Sequence, residues 1–328
     1  MARHLERLNS LGAAAPNLDP VRIYRQRELL RILLRDVLSL APLPVLFAEQ
    51  NDLAEACLVF VNQLLNPGQP LTLVALGKFG GREIGYGADL DVLFVGEDAR
   101  PAQDLTAALG QASAEGSIAT IDARLRPEGE KGPLVCSLET LRAYYEKRAQ
   151  FWELQSLTRA RAICGPLRYE FDALARELWC EAGRRPDVVR QIESMLVRIA
   201  NDRGSGNDFF DFKTGIGGMI EAEFLVQALQ MRHQIWSPNF FAALEKLSTG
   251  KAIEKADAEK LHAAYIFLRS CESVLRRWQN QSVSMLPATH DGQLALARRL
   301  RFSTIEAFHA PYREARERIR SLWMRYLT

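Results

Sequence analysis

The sequence predicts an α+β protein: a small mixed sheet core flanked by N-terminal helices and followed by a large C-terminal helical region. Three observations carry this. Residues 71–76 and 91–95 are apolar runs of strand length. Between them lies a glycine-rich turn, Leu76-Gly77-Lys78-Phe79-Gly80-Gly81, followed by the spaced acids Asp89 and Asp91. From residue 138 onward, apolar side chains recur at i, i+3 and i+4, the helical period.

Each element follows in order. Residues 21–40 have helical apolar spacing with basic residues between, and Ala41-Pro42-Leu43-Pro44 ends that helix. A second helix is expected over 51–65 and a turn over 66–70. Short strands are expected at 71–76, 91–95 and 118–125, with a helix over 101–114 between the last two. Helical patterns cover 138–163 and 186–199. Residues 209–213 read as a short strand, and Thr214-Gly215-Ile216-Gly217-Gly218 as a second glycine turn opening a helix to about His233. Further helices are expected at 237–248, 255–279, 291–300 and 304–327. The expected divisions are a helical segment over 1–67, an α/β core over 68–136 and a helical region over 137–328.

Bulk composition narrows the function classes. The chain has 328 residues, 48% of them hydrophobic, enough for a real core, and a net charge of only +2. A nucleic-acid binder is expected to be strongly basic, so none is expected here. The arginines of the last thirty or so residues read as a solvated helix face. Five scattered cysteines without a C-x-x-C pair read as reduced thiols in a cytoplasmic protein. No signal peptide, membrane span or lipidation motif is expected. The five histidines lack ligand spacing, and Ser205 lacks the G-x-S-x-G frame.

The chemistry concentrates around the first glycine turn. Asp89 and Asp91 have strand parity, so both carboxylates are expected to face one point. Such a pair repels itself unless a cation lies between, and oxygen donors suit Mg²⁺ (or Mn²⁺). Bare backbone N–H groups at Gly80 and Gly81 suit phosphate oxygens, with Lys78 beside them. The string is neither a P-loop nor a dinucleotide fingerprint. The alternative is a tight turn whose aspartates merely cap it. Asp122, Arg124 and Arg126 also share parity, as if one strand face carried an acid and two guanidiniums. That set suits a metal-bound triphosphate, and the alternative is a surface salt-bridge ladder. Farther on, Trp152, Gln155, Ser156 and Arg159 share a helix face, with Glu153 beside them and Arg159 placed to reach phosphate. Gly217 and Gly218 open a helix, a place where unpaired N–H groups bind anions. Glu221 and Glu223 follow in its first turns, where the helix dipole alone also favours acids.

Gly80-Gly81, Asp89-x-Asp91 and Asp122 together resemble the nucleotidyltransferase superfamily. The longer strings resemble glutamine synthetase adenylyltransferase (glutamate–ammonia ligase adenylyltransferase). They are Gly77-Lys78-Phe79-Gly80-Gly81-Arg82-Glu83-Ile84-Gly85-Tyr86, Arg124-Leu125-Arg126-Pro127-Glu128-Gly129, Trp152-Glu153-x-Gln155-x-Leu157-x-Arg159-Ala160-Arg161 and Gly217-Gly218-x-x-Glu221-x-Glu223-Phe224. The likeness runs from about residue 20 to the end.

The resemblance implies a nucleotidyltransferase-type core and transfer of AMP from Mg-ATP to a tyrosine hydroxyl of glutamine synthetase, with pyrophosphate leaving by a two-metal mechanism. Asp89, Asp91 and Asp122 would be the metal and catalytic acids. Gly80, Gly81, Lys78, Arg124, Arg126 and Arg159 would hold nucleotide or phosphate. Trp152, Glu153, Gly217, Gly218, Glu221 and Glu223 would be secondary, and the helical region would bind the protein substrate. The family protein is bifunctional, with two related catalytic halves, so a second half and a regulatory signalling protein are implied partners. The reverse activity, phosphorolytic removal of AMP giving ADP, is an alternative reading. A catalytically silent nucleotide-binding module is another. The string Glu83-Ile84-Gly85-Tyr86 and a non-arginine at Ile220 look more like the adenylylating half. Two positions depart from the family pattern: Ala88 stands where a serine is usual, and Ile220 where a polar residue is usual.

Overall fold

The computed structural model describes residues 1–11, 17–67, 71–203, 208–279 and 281–327. Residues 68–70 of the expected turn, and Ser205, lie outside the described residues. The chain forms two compact units, Met1–Leu178 and Trp179–Thr328.

The first unit opens with α1 (Ala2–Asn9), α2 (Asp19–Val37) and α3 (Leu43–Leu65). Helix α3 starts earlier than the expected 51–65. Pro44 falls in its first turn, where a missing N–H costs nothing, so the prolines that end one helix also open the next. Helix α3 is buried along most of its length, and Leu53, Ala56, Cys57, Phe60 and Val61 join the core.

Five short strands follow: β1 (Thr72–Ala75), β2 (Leu90–Val95), β3 (Ile121–Asp122), β4 (Val135–Cys136) and β5 (Arg161–Cys164). Between and after them come α4 (Gly77–Gly80), α5 (Arg100–Gly110), α6 (Leu138–Lys147), α7 (Phe151–Ser156) and α8 (Arg168–Gly183). The sheet order is β3-β2-β1-β5, with β4 also on β2. Strand β1 is antiparallel to both β2 and β5, whereas β2 is parallel to β3 and β4. Strand β3 pairs with the first residues of β2, Leu90 and Asp91, and β4 pairs with the last, Phe94 and Val95. Two short strands therefore share one edge of β2, end to end. Strand β2 is buried throughout except at Asp91, as a strand covered on both faces should be. Its Val92 and Phe94 pack with Leu73 of β1, Phe79 of α4 and Leu105 and Leu109 of α5.

The structure corrects three expectations here. The strand expected over 118–125 is only Ile121–Asp122, and the chain turns at Arg124, so Arg124 and Arg126 share no strand face with Asp122. The expected helical stretch 138–163 breaks into α6, α7, a 3-10 turn (Leu157–Arg159) and β5. The sheet thus takes a strand from beyond residue 136. Residues 209–213 form turns with a single bridge, Asp211 to Met285, in place of the expected strand.

The second unit is helical: α9 (Val188–Arg203), α10 (Met219–His233), α11 (Phe240–Thr249), α12 (Lys255–Gln279), α13 (His290–Arg299) and α14 (Ile305–Leu327). Helix α10 packs against α9, α11, α12 and α14. Its Leu225 and Leu229 are buried, as are Tyr265 of α12 and Phe308, Tyr312 and Trp323 of α14. Phe240 stacks on Tyr265 with ring centroids 3.9 Å apart. Among the described residues no helix is long and apolar enough to cross a membrane.

Candidate active site

The glycine turn is shaped by what it cannot accommodate. Gly77 has φ +52°, a left-handed conformation that disfavours side chains, and a methyl there would lie 2.3 Å from Asp91 Oδ2. Gly80 backs onto main chain: a methyl would lie 1.8 Å from Arg159 O and 2.6 Å from Ala75 O. Arg161 of β5 holds the same turn, donating from Nε to Gly80 O at 3.3 Å. It also forks onto both oxygens of the buried Glu55 of α3, at 3.1 and 2.9 Å. The amides of Gly80 and Gly81 donate to Leu76 O (2.7 Å) and Gly77 O (3.1 Å). They are therefore not the bare donors expected from the sequence. The smallness of Gly80 matters instead, because it lets the turn close on the main chain of Ala75 and Arg159.

Above that turn, Asp91 and Asp122 stand side by side, paired in register on parallel strands. Asp89 is exposed and precedes the first residue of β2, so strand parity does not fix its direction. Its charge still reaches Asp91. Burial pushes the Asp91 carboxyl up to about 6, and Asp122 and Asp89 push the same way against Lys78 and Arg124. Asp122 behaves oppositely. Hydrogen bonds from Arg124 hold its carboxyl below the usual range: Arg124 Nε lies 3.0 Å from each oxygen, and the Arg124 amide donates to Oδ1 at 2.9 Å. Lys78, Asp89, Asp91, Asp122 and Arg124 thus form one coupled charge cluster beside the glycine turn.

Other expected residues have structural partners. Arg126 donates to the carbonyls of Ala123 (2.9 Å), Gly132 (3.2 Å) and Glu130 (3.2 Å), which ties down the loop after β3. Arg159 is buried and pairs with the buried Glu83 at 3.7 Å. Glu153 accepts from Tyr144 Oη at 2.6 Å and from the Gln150 amide at 2.8 Å, capping α7. Trp152 Nε1 donates to Gln150 Oε1 at 3.1 Å.

Gly217, Gly218, Glu221 and Glu223 belong to the second unit. The anion site expected at the start of α10 is already filled by the chain itself. Glu221 accepts the Gly217 amide at 2.7 Å, and the amides of Gly218, Met219 and Ile220 donate to Gly215, Phe212 and Lys213 carbonyls. Glu221 also receives Arg320 at 3.1 Å, and Glu223 accepts from Tyr265 Oη at 2.7 Å.

The acids fit a hard divalent cation in chemistry, because every donor is a carboxylate oxygen and burial together with Asp122 and Asp89 disfavours the ionised Asp91, a cost a cation would relieve. They are not assembled as a ligand set: among the described residues no three His, Cys, Asp or Glu side chains stand ready to hold a metal. Arg124 occupies both oxygens of Asp122. Sequence reasoning left Gly77, Glu55 and Arg161 off the site. Glu55 as the single charge within the apolar stretch Leu53–Val61 is the one visible sign.

The glutamate-ammonia ligase adenylyltransferase family model matches residues 2–175. The chain belongs to that family. A second family model, for the GlnD PII-uridylyltransferase, matches residues 189–327. Curated relatives share the family across both units. A bifunctional glutamine synthetase adenylyltransferase/adenylyl-removing enzyme of Streptomyces avermitilis is 34% identical over 298 residues, covering 82% of this chain and 30% of the relative. Its namesake in Streptomyces coelicolor is 34% identical over 318 residues, covering 87% and 32%. The one in Mycobacterium avium is 35% identical over 270 residues, covering 76% and 26%. The chain thus spans about a third of the length of the family proteins it matches.

Proposed function

We propose that the chain transfers AMP from ATP to a tyrosine hydroxyl of glutamine synthetase, releasing pyrophosphate. The observation that carries this reading is the register of Asp91 and Asp122 above Gly77, in a chain of the adenylyltransferase family. Asp91, Asp89 and, once freed from Arg124, Asp122 are the residues that would hold Mg²⁺ or Mn²⁺. That cation supplies positive charge to the phosphate oxygens. Arg124, released from Asp122, and Lys78 put further positive charge beside the phosphates. Asp122, once freed, accepts the tyrosine proton, whose ordinary pKa near 10 makes a nearby base useful. Arg126, Arg159 and Arg161 hold the loops that carry these groups. The second unit recognises the protein substrate.

The relatives' names carry both adenylyl transfer and adenylyl removal, so the test has two arms. In one, the chain is mixed with glutamine synthetase, labelled ATP and magnesium, beside Asp89→Asn. Label on the synthetase that is lost in the variant supports the reading. In the other, adenylylated synthetase is given phosphate and magnesium, and ADP release without forward labelling replaces it with adenylyl removal. Failure of both, with no magnesium-dependent ATP binding by calorimetry, makes the chain a silent module.

A further inference from the structure

Helix α2 is apolar on two faces: Val21 and Ile32 are buried in the core. Its outer face carries Ile23, Leu30, Leu34 and Val37, which are 43, 54, 51 and 53% exposed. These four positions, with Arg27 between Ile23 and Leu30, advance by 4, 3, 4 and 3 residues, the spacing of a coiled-coil seam. The exposed Leu38, Leu40 and Val45 extend the apolar surface beyond the helix end. A solvated helix face should be polar, and a contiguous apolar one marks a contact.

Charge says what kind of contact. At the seam's N-terminal end a cavity of about 510 Å³ opens between α1 and α2, bordered by Arg3, Arg7, Ile23, Tyr24, Arg27 and one acid, Glu28. Arg3 meets Glu28 at 3.4 Å. Among the described residues Arg7 and Arg27 have no carboxylate partner. Arg31 and Arg35, farther along α2, are already neutralised by Glu28 and Glu49. Positive charge is thus left over at one end only. We infer that this face docks an acidic amphipathic α-helix, aliphatic at heptad spacing and carrying carboxylates at the end that meets Arg7 and Arg27. The occupant is a segment of polypeptide from outside this chain's own sequence. A second copy laid parallel would bring a further set of arginines to Arg7 and Arg27, and one laid antiparallel would set them against the apolar Val37 end, so neither answers the surplus charge. A membrane surface asks for a broad apolar face with unpaired basic residues along both sides, and here the flanking Arg31 and Arg35 are paired.

The test uses the full chain and two labelled helical peptides of about four heptads, with Leu at the seam and either Glu or Lys beside it. Fluorescence anisotropy is expected to show the Glu peptide binding, and the Lys peptide binding at least about tenfold more weakly. Leu30→Asp and Leu34→Asp each weaken the Glu peptide by about tenfold or more, the worth of one buried aliphatic side chain. Arg7→Glu with Arg27→Glu weakens it and removes its salt dependence. All these side chains but Arg7 lie on the outer face of α2, and matched melting curves confirm that each variant is folded. Equal binding of both peptides, or indifference to Leu30→Asp and Leu34→Asp, overturns the inference. So does dimerisation of the chain, or binding to phosphatidylglycerol vesicles, that is lost in the same leucine variants.

Discussion

Two glycine turns in this chain look alike in sequence and differ in chemistry. Each has paired glycines followed by acids: Gly80-Gly81 before Asp89 and Asp91, and Gly217-Gly218 before Glu221 and Glu223. In the second, the acids are satisfied from within. Glu221 takes an amide and an arginine, Glu223 takes a tyrosine hydroxyl, and the helix start is closed. In the first, Asp91 sits half-buried against a missing side chain at Gly77, beside other carboxylates and without a bonded arginine of its own. The same glycine–acid pattern is closed from within in one turn and leaves an acid crowded by other carboxylates in the other, and only the second makes a candidate site.

The largest expected effect breaks the first turn. Asp91→Asn lowers adenylyl transfer by about a thousandfold, roughly 4 kcal/mol of barrier. Gly77→Ala, which drives a methyl at the Asp91 oxygen, falls in the same direction in initial-rate assays. A result within about threefold of the parent chain for Asp91→Asn would mean that this acid lies outside the chemistry.

Next is packing. Gly80→Ala pushes a methyl into the Arg159 carbonyl, and the first unit is expected to lose about 3 kcal/mol in urea unfolding. An unchanged midpoint would show that the turn is not pressed onto the Leu157–Arg159 segment.

The third expectation is a pH dependence in chelator-treated protein. The Asp91 carboxyl has its folded pKa raised from 3.8 to about 6, so the folded state binds the proton more tightly than the unfolded one. Stability from this group is fully present below about pH 4 and falls as pH rises to about 6, by roughly 2 to 3 kcal/mol. Asp91→Asn flattens that part of the curve. Arg124-bound Asp122 runs the other way, losing stability as pH falls through its depressed pKa.

The smallest effect sharpens the contrast. Glu221→Gln weakens the Arg320 pair and the cap on Gly217, at a cost of about 1 kcal/mol in thermal unfolding. A larger loss than that from Gly80→Ala would reverse the ranking of the two turns.

Sequence reasoning reached the helices best where the apolar period was long. The helix expected over 255–279 coincides with α12, because its apolar stripe continues without glycine or proline for the whole length. It failed where local hydrogen bonds decide. Nothing in the alternation of Asp122, Arg124 and Arg126 reveals that Arg124 folds back onto Asp122 and ends the strand. Strand β5 was hidden for a related reason: four residues, Arg161–Cys164, directly after a helical pattern carry too little period to be told from one more turn. Helices α1 and α8 went without assigned bounds. At the site, the acids and the turn were legible as residue types. The use of glycine for clearance instead of donation was not, since it depends on which main-chain atoms lie opposite.

The fork of Arg161, gripping Glu55 with one side and the Gly80 carbonyl with the other, ties the candidate site's glycine turn to helix α3, whose Asp52 also meets Arg82 just beyond that turn. Temperature-sensitive alleles should therefore map to Glu55 and its neighbours as readily as to the acids, and second-site suppressors of such alleles should cluster along the same helix.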